Sequence, residues 1–164
     1  MVDNNGVKHV DIQIVPALLE HCVPIAARMR AADVDEVFAG SGRDPLDALE
    51  FSFRKSALVR TALVDGVPEV MFGAADLNIL AGVAAPWLLG TDAVTKNYVA
   101  FLRGSVEWRS QLLTRYEVLR NLVDDRNAAS KRWLRWLGFE LSDPFPIGHE
   151  GRPFRLFQLR RDNV

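Results

Sequence analysis

Four cations, Arg126, Lys131, Arg132 and Arg135, crowd around Asn127 and Ser130. Such a group can meet phosphates or an acidic partner. It reads equally as an exposed helix face with cations favourably near a helix C-terminus, and the solvated face is the preferred reading. Asn127 is placed to cap a helix and to tolerate the turn before it. Ser130 is small enough to let that helix approach a sheet or a cofactor arm, Gly138 ends the helix, and Phe139 plugs a core as the next strand begins. Trp133 and Trp136 cannot both lie deep beside Leu134 and Leu137, because the four positions spread around the helix. One of the two tryptophans must meet another element or a partner protein, where tryptophan is a common anchor. Elsewhere the chemistry is sparse. His9, His21 and His149 stand on separate elements without metal-ligand spacing, so no metal is expected. Cys22 is the only cysteine, which excludes an intrachain disulfide and a Cys-based zinc site.

The elements that must position these residues belong to a chain of 164 residues, 49% apolar and 25% charged, with 20 basic and 21 acidic side chains. That composition excludes a disordered polyelectrolyte and fits one domain with a full core. The net charge of -1 gives no global reason to expect nucleic acid or an acidic membrane. Charge is uneven along the chain, however: residues 1–82 hold 7 basic and 12 acidic side chains, a net of -5, and residues 83–164 hold the balance, a net of +4. The segment Met1–Gly6 is polar and acidic, so no secretory signal is expected. The longest uncharged stretch, Leu77–Thr91, is too short for a membrane helix and is interrupted by Gly82, Pro86 and Gly90. A cytosolic protein without membrane insertion is the expectation, and nucleic-acid binding ranks last for want of interleaved aromatic and basic residues.

Val10–Ile14 alternates as a half-buried strand does, and Pro16 suits a first helical turn. Helical spacing then predicts one helix over Ala17–Arg30 and a second from Ala31, broken at Gly40-Ser41-Gly42. Asp44-Pro45 is an N-cap and first-position pair for a third helix carrying Leu46, Leu49, Phe53 and Ala57. Strands at Leu58–Val64 and Val67–Ala75 flank Asp65-Gly66, a strong hairpin signal, and Pro68 places the start of the second strand near an edge. Asn78–Gly82 reads as a turn. Ala84–Gly90 is a strand whose Pro86 requires an edge or a bulge. The longest helix spans Thr95–Arg115 with a stripe of Tyr98, Phe101, Leu102, Ser105, Trp108 and Leu112; then come a strand at Tyr116–Val123, a helix at Arg126–Leu137, and strands at Phe139–Leu141 and Phe154–Leu159. The class is α/β mixed (α+β in character), one domain over residues 1–164, with about seven strands in a twisted, mostly antiparallel sheet flanked by helices.

The segment Val118–Phe139, with Asn127 after a strand, Ser130 three residues later and Gly138-Phe139 closing the helix, resembles the strand–loop–helix signature of the GNAT (acetyl-CoA-dependent N-acetyltransferase) superfamily. The element order matches that fold as well. A narrower resemblance joins this block, the long helix before it, Pro86–Thr91 and the aromatic ending Arg152–Leu159 to small GNAT-like proteins of short-tailed bacteriophages, some of them internal virion proteins. The resemblance implies acetyl-CoA as cofactor, with Leu89, Gly90, Thr91, Asn127 and Ser130 as its binding residues. It also implies a location in the host cytoplasm or the virion.

Two departures from the family pattern follow. Active members hold the pyrophosphate on amides of an Arg/Gln-x-x-Gly-x-Gly/Ala turn; here Leu88–Lys96 lacks the glycine pair and places the anion Asp92 where phosphates would sit. Asp92 opposes phosphate unless it turns away to cap the helix, and Gly90, Thr91 and Lys96 compensate in part. Leu134 stands where many members carry a tyrosine that protonates the departing thiolate, and Tyr98 and Tyr116, the only phenols, read as core or rim residues. The base implied for the fold is a strand carboxylate, for which Glu69, Asp76, Glu117 and Asp124 are the candidates, each reading more simply as a surface group. Two functions remain open. One is a GNAT-fold protein with a degenerate acetyl-CoA site that binds a phage or host protein; the other is an active N-acetyltransferase acting on an amine of a protein or small molecule.

Overall fold

The computed structural model describes residues 10–148 and 150–163. Strand β1 (Ile12–Pro16) is followed by a 3-10 turn at Leu19–His21 and a short helix α1 (Cys22–Ala26). The single helix expected over Ala17–Arg30 is therefore broken, and Pro16 ends a strand instead of opening a helix. Pro24 explains the break: it would lie mid-helix in a 17–30 helix, but in α1 it falls in the first turn, where no N–H is required. Helix α2 (Ala31–Ser41) ends at Gly42 in the left-handed region, and α3 (Pro45–Lys55) is capped by Asp44, which accepts from the N–H groups of Leu46 and Asp47.

Strands β2 (Ser56–Val64) and β3 (Val67–Asn78) turn at Asp65-Gly66, whose φ values of 50° and 80° suit a two-residue hairpin. Pro68 is not near a sheet edge, since β3 lies inside the sheet. The register instead slips there: Ala62 faces Val70 while Leu63 faces Pro68, so Glu69 is an inserted residue and the bulge tolerates the missing N–H. Strand β4 (Val83–Gly90) leads to a four-residue helix α4 (Ala93–Lys96) and then α5 (Tyr98–Arg115), the long expected helix being interrupted at Asn97. Strand β5 (Val118–Asp124), helix α6 (Ala128–Trp136), β6 (Glu140–Leu141), β7 (Phe145–Ile147) and β8 (Arg152–Arg160) complete the fold. Among the described residues the sheet has eight strands ordered β1-β2-β3-β4-β5-β8-β6, with β7 also on β8; β7, in the Pro/Gly-rich connection, is the strand that the sequence pattern conceals.

Among the described residues every strand pairing is antiparallel except β4–β5. The parallel pair needs the α4–α5 crossover to return the chain to the starting end. One sheet face buries Leu112, Leu113, Leu119, Val123, Leu134, Leu137, Phe139 and Phe157 beneath α5 and α6. The other buries Cys22, Ile25, Leu49 and Met71 beneath α1 and α3. Gly73 marks where this second layer is tightest. A Cβ there would lie 2.6 Å from the Leu58 carbonyl oxygen and 3.0 Å from the Trp87 ring. Gly73→Ala is expected to lower stability by ~1–3 kcal/mol, the usual cost of overpacking, read as a shift of the urea midpoint at unchanged slope.

Candidate functional site

Strands β4 and β5 pair only at Val83–Val118 and Ala84–Leu119 and diverge beyond. Pro86 lies just past the last pair, so its missing N–H costs no ladder bond; this is how an inner strand meets the edge condition that the proline requires. Its carbonyl accepts a hydrogen bond from Asn121 Nδ2 of β5 at 3.0 Å, a side-chain rung where the backbone rungs have stopped. Backbone groups alternate in direction along a strand, so Gly90, four residues on, also addresses the gap.

Helix α2 is fastened to the ends of both diverging strands. At β4, Arg30 N–H donates to the Gly90 carbonyl at 3.0 Å, and Gly90 N–H donates to Asp33 Oδ2 at 3.1 Å. Asp33 is buried and is held by the Arg30 guanidinium through contacts of 2.8–3.1 Å. Burial pushes its carboxyl above the ordinary range, against the opposing charge and hydrogen bond of Arg30. One turn along α2, Glu36 Oε2 accepts from Asn127 Nδ2 at 3.1 Å, and Asn127 Oδ1 accepts from the Ser130 N–H at 3.1 Å to cap α6. Burial pushes the half-buried Glu36 carboxyl up to about 7; the Asn127 N–H opposes this, and Asp33 and Asp124 add to it.

The amides after β4 are occupied from within. Thr91 N–H donates to the Glu69 carbonyl, Ala93 N–H to Thr91 Oγ1 and Val94 N–H to the Thr91 carbonyl. Thr95 and Lys96 N–H both donate to the Asp92 carbonyl, and Asn97 N–H to that of Ala93. Thr91 is buried, and its hydroxyl donates to the Glu69 carboxylate, which also holds Arg28 at 2.6 Å. The exposed Asp92 makes no side-chain cap.

Similar chain courses occur in solved structures. An acetyltransferase of Acinetobacter baylyi matches 96% of this chain and 97% of its own at a TM-score of 0.68 and 11% identity. A GNAT-family acetyltransferase of Chromobacterium violaceum matches 93% and 88% at 0.69 and 13%. A Salmonella typhimurium acetyltransferase, solved with its cofactor acetyl-CoA, matches 94% and 96% at 0.64 and 17%. The chain has the GNAT acetyltransferase fold. Identities this low establish the fold alone. No protein-family model matches the sequence, and no curated protein matches it significantly.

Of the residues that the GNAT resemblance marks for the cofactor, Gly90 and Asn127 are brought to one element, α2, and Ser130 joins them through its N–H to Asn127. Leu89 instead packs with the Met71 cluster, and Thr91 serves Glu69. The candidate bases have other partners. Asp76 accepts from the Tyr116 hydroxyl at 2.7 Å, and Glu117 pairs with Arg161 at 2.7 Å. Burial raises the Tyr116 phenol, and its bond to Asp76 adds to the effect. Burial alone would raise Asp124, but the hydrogen bonds and charge of Arg126 outweigh it and hold the carboxyl below the usual range. Leu134 is core, Tyr116 is buried and Tyr98 is an exposed rim residue. Burial, with Glu50 adding, pushes the Cys22 thiol up to about 11, so it stays protonated. His21 braces its turn against Thr61 at 3.0 Å, while His9 and His149 lie outside the described residues.

Among the described residues no cluster of His, Cys, Asp or Glu could hold a metal, and no helix is long and apolar enough to cross a membrane. The sequence reading misses Arg30, Asp33 and Glu36. Their signal is a charged i, i+3, i+6 row on one helix stripe, which also describes an ordinary solvated face.

Proposed function

We propose that this protein keeps the GNAT fold without a working acetyl-CoA site and acts as an accessory protein that binds a protein partner. One observation carries the reading: the N–H groups of Gly90, Thr91 and Ala93–Asn97, where the fold would cradle a pyrophosphate, already have acceptors within the protein. Bound phosphate would have to break these bonds and accept Asp92 as a neighbour, so the residues present do not fit the group. The buried Leu134, where a proton donor to thiolate would stand, supports the same conclusion. The resemblance of Pro86–Thr91, Val118–Phe139 with the long helix before it, and Arg152–Leu159 to small phage proteins supports a phage origin and a virion-associated role.

A second reading, an active N-acetyltransferase, draws on the diverging β4–β5 pair and on Glu36, whose carboxyl near 7 suits proton removal from an amine. Calorimetric titration of acetyl-CoA and of free CoA separates the two. The expected result is no binding heat at millimolar ligand and no thermal stabilisation, where a ligand at 100 times its Kd would add about 2.7 kcal/mol. Micromolar binding overturns the proposal and makes Glu36→Gln the first variant to assay for acetyl transfer.

A further inference from the structure

Between α5 and α6 lies an open groove of about 520 Å³ lined by Val99, Leu102 and Val106 of α5 and Trp136 of α6, with Arg103 and Glu107 at its rim. Its origin is the spread of apolar positions around α6. Leu134 and Leu137 face the core, and Trp133 packs on Phe101 with ring centroids 5.2 Å apart. Trp136 is left outside, 54% exposed, beside Val99 at 62%. Solvent-facing tryptophan next to an apolar helix stripe is uncommon unless something covers it. The row Val99, Leu102, Val106 runs i, i+3, i+7 over ~10 Å, the spacing with which one helix receives another.

The charge around the groove identifies what covers it. On α6, Arg126 and Lys131 are paired with Asp124 and Asp125. Arg132, one turn before Trp136, is exposed, as is Arg103 across the groove, and neither has a salt bridge among the described residues. Glu107 is the only carboxylate in the lining. Arg103 in the lining and Arg132 on the Trp136 stripe, set against Glu107, leave one positive charge over an apolar floor, which fits an apolar stripe flanked by carboxylates. We propose that the groove is the docking site for an acidic amphipathic helix of a partner protein. This deepens the partner-binding reading above and rests on it. Attraction from the unpaired arginines would speed encounter, and Trp136 would anchor the seated helix.

The probe is a fluorescein-labelled helical peptide with leucines at i, i+3, i+7 and glutamates on their flanks, followed by anisotropy against the full chain. A control peptide carries lysine for each glutamate. The acidic peptide should bind at micromolar concentration and weaken with salt, and the lysine version should bind about tenfold more weakly or worse. Trp136→Ser and the pair Arg103→Glu, Arg132→Glu should each lose about tenfold, while Arg120→Glu, exposed on β5 away from the groove, should not; circular dichroism verifies that each variant is folded. Equal affinity for both peptides, unchanged binding by the groove variants, or no binding to the folded wild type at low salt overturns the proposal. So does a self-associated chain that Trp136→Ser returns to monomer, which assigns the groove to a second copy. Acetyl-CoA titrated alongside keeps the failures apart: binding of CoA sinks the partner-binding reading, and silence with both ligands sinks only the groove.

Discussion

Asp33→Ala is expected to cost the fold about 3 kcal/mol, the lower end for removing one member of a buried ion pair. The Asp33 side chain is 7% exposed and that of Arg30 22%, so the orphaned guanidinium regains some water while the Gly90 N–H loses its acceptor. Asp33→Asn keeps an acceptor for that N–H and should lose less. Urea denaturation gives the global number, and hydrogen exchange at the Gly90 amide gives the local one, because that amide is where α2 lets go of β4. A loss below about 0.5 kcal/mol, typical of exposed pairs, would mean that α2 is held by other contacts.

Glu36→Gln should act in the opposite direction, with a gain that builds above about pH 4.5 and is complete above about 7. The folded carboxyl is pushed from the ordinary 4.5 up to about 7, chiefly by burial. Between those values the folded state retains a proton that the unfolded chain has released, so stability is full below pH 4.5, falls as pH rises and levels above about 7. At ~1.4 kcal/mol per tenfold in proton affinity the ceiling is ~3 kcal/mol, and because the group is only half-buried about 1–2 kcal/mol is expected. Glutamine still accepts from Asn127 Nδ2 without carrying charge beside Asp33 and Asp124, the latter paired with Arg126. The variant should match the wild type at pH 5, exceed it at pH 8 and show a flatter profile of urea midpoint against pH. Parallel profiles would show that Glu36 ionises freely.

Both residues lie on α2, which is where the sequence is least informative. Signals confined to neighbouring residues translate directly into structure: the Asp44 cap, the Asp65-Gly66 hairpin, Asn127 opening α6 and Gly138, at φ 90°, closing it. Each depends on backbone chemistry within a few residues. The positions of the strands are legible for the same reason, apart from β7, whose Phe145-Pro146-Ile147 shows no alternation and which pairs with β8 beyond the end of β6. The site is different in kind. Asp33 acts on Gly90, 57 residues away, and Glu36 on Asn127, 91 residues away, so nothing near either carboxylate distinguishes it from a solvated one. The Pro68 bulge is similar: proline announces a missing donor, but only the partner strand decides between an edge and an inserted residue. Trp136 is the exception. Geometry around one helix is enough to place it outside the core.

The two-pair junction between β4 and β5 divides the sheet into two antiparallel parts, one from residues 12–90 and one from 118–160, each contiguous in the chain. Their meeting, Val83 with Val118, joins positions closer in sequence than Ile12 and Val64 in the first part or Val118 and Arg160 in the second, so it adds no closure costlier than those inside them. Residues 1–82 carry a net -5, residues 83–90 no charge and the remainder +4. Assembly of the halves is thus an encounter between oppositely charged bodies, drawn together beyond contact range in dilute buffer and left to diffusion when salt shortens that range.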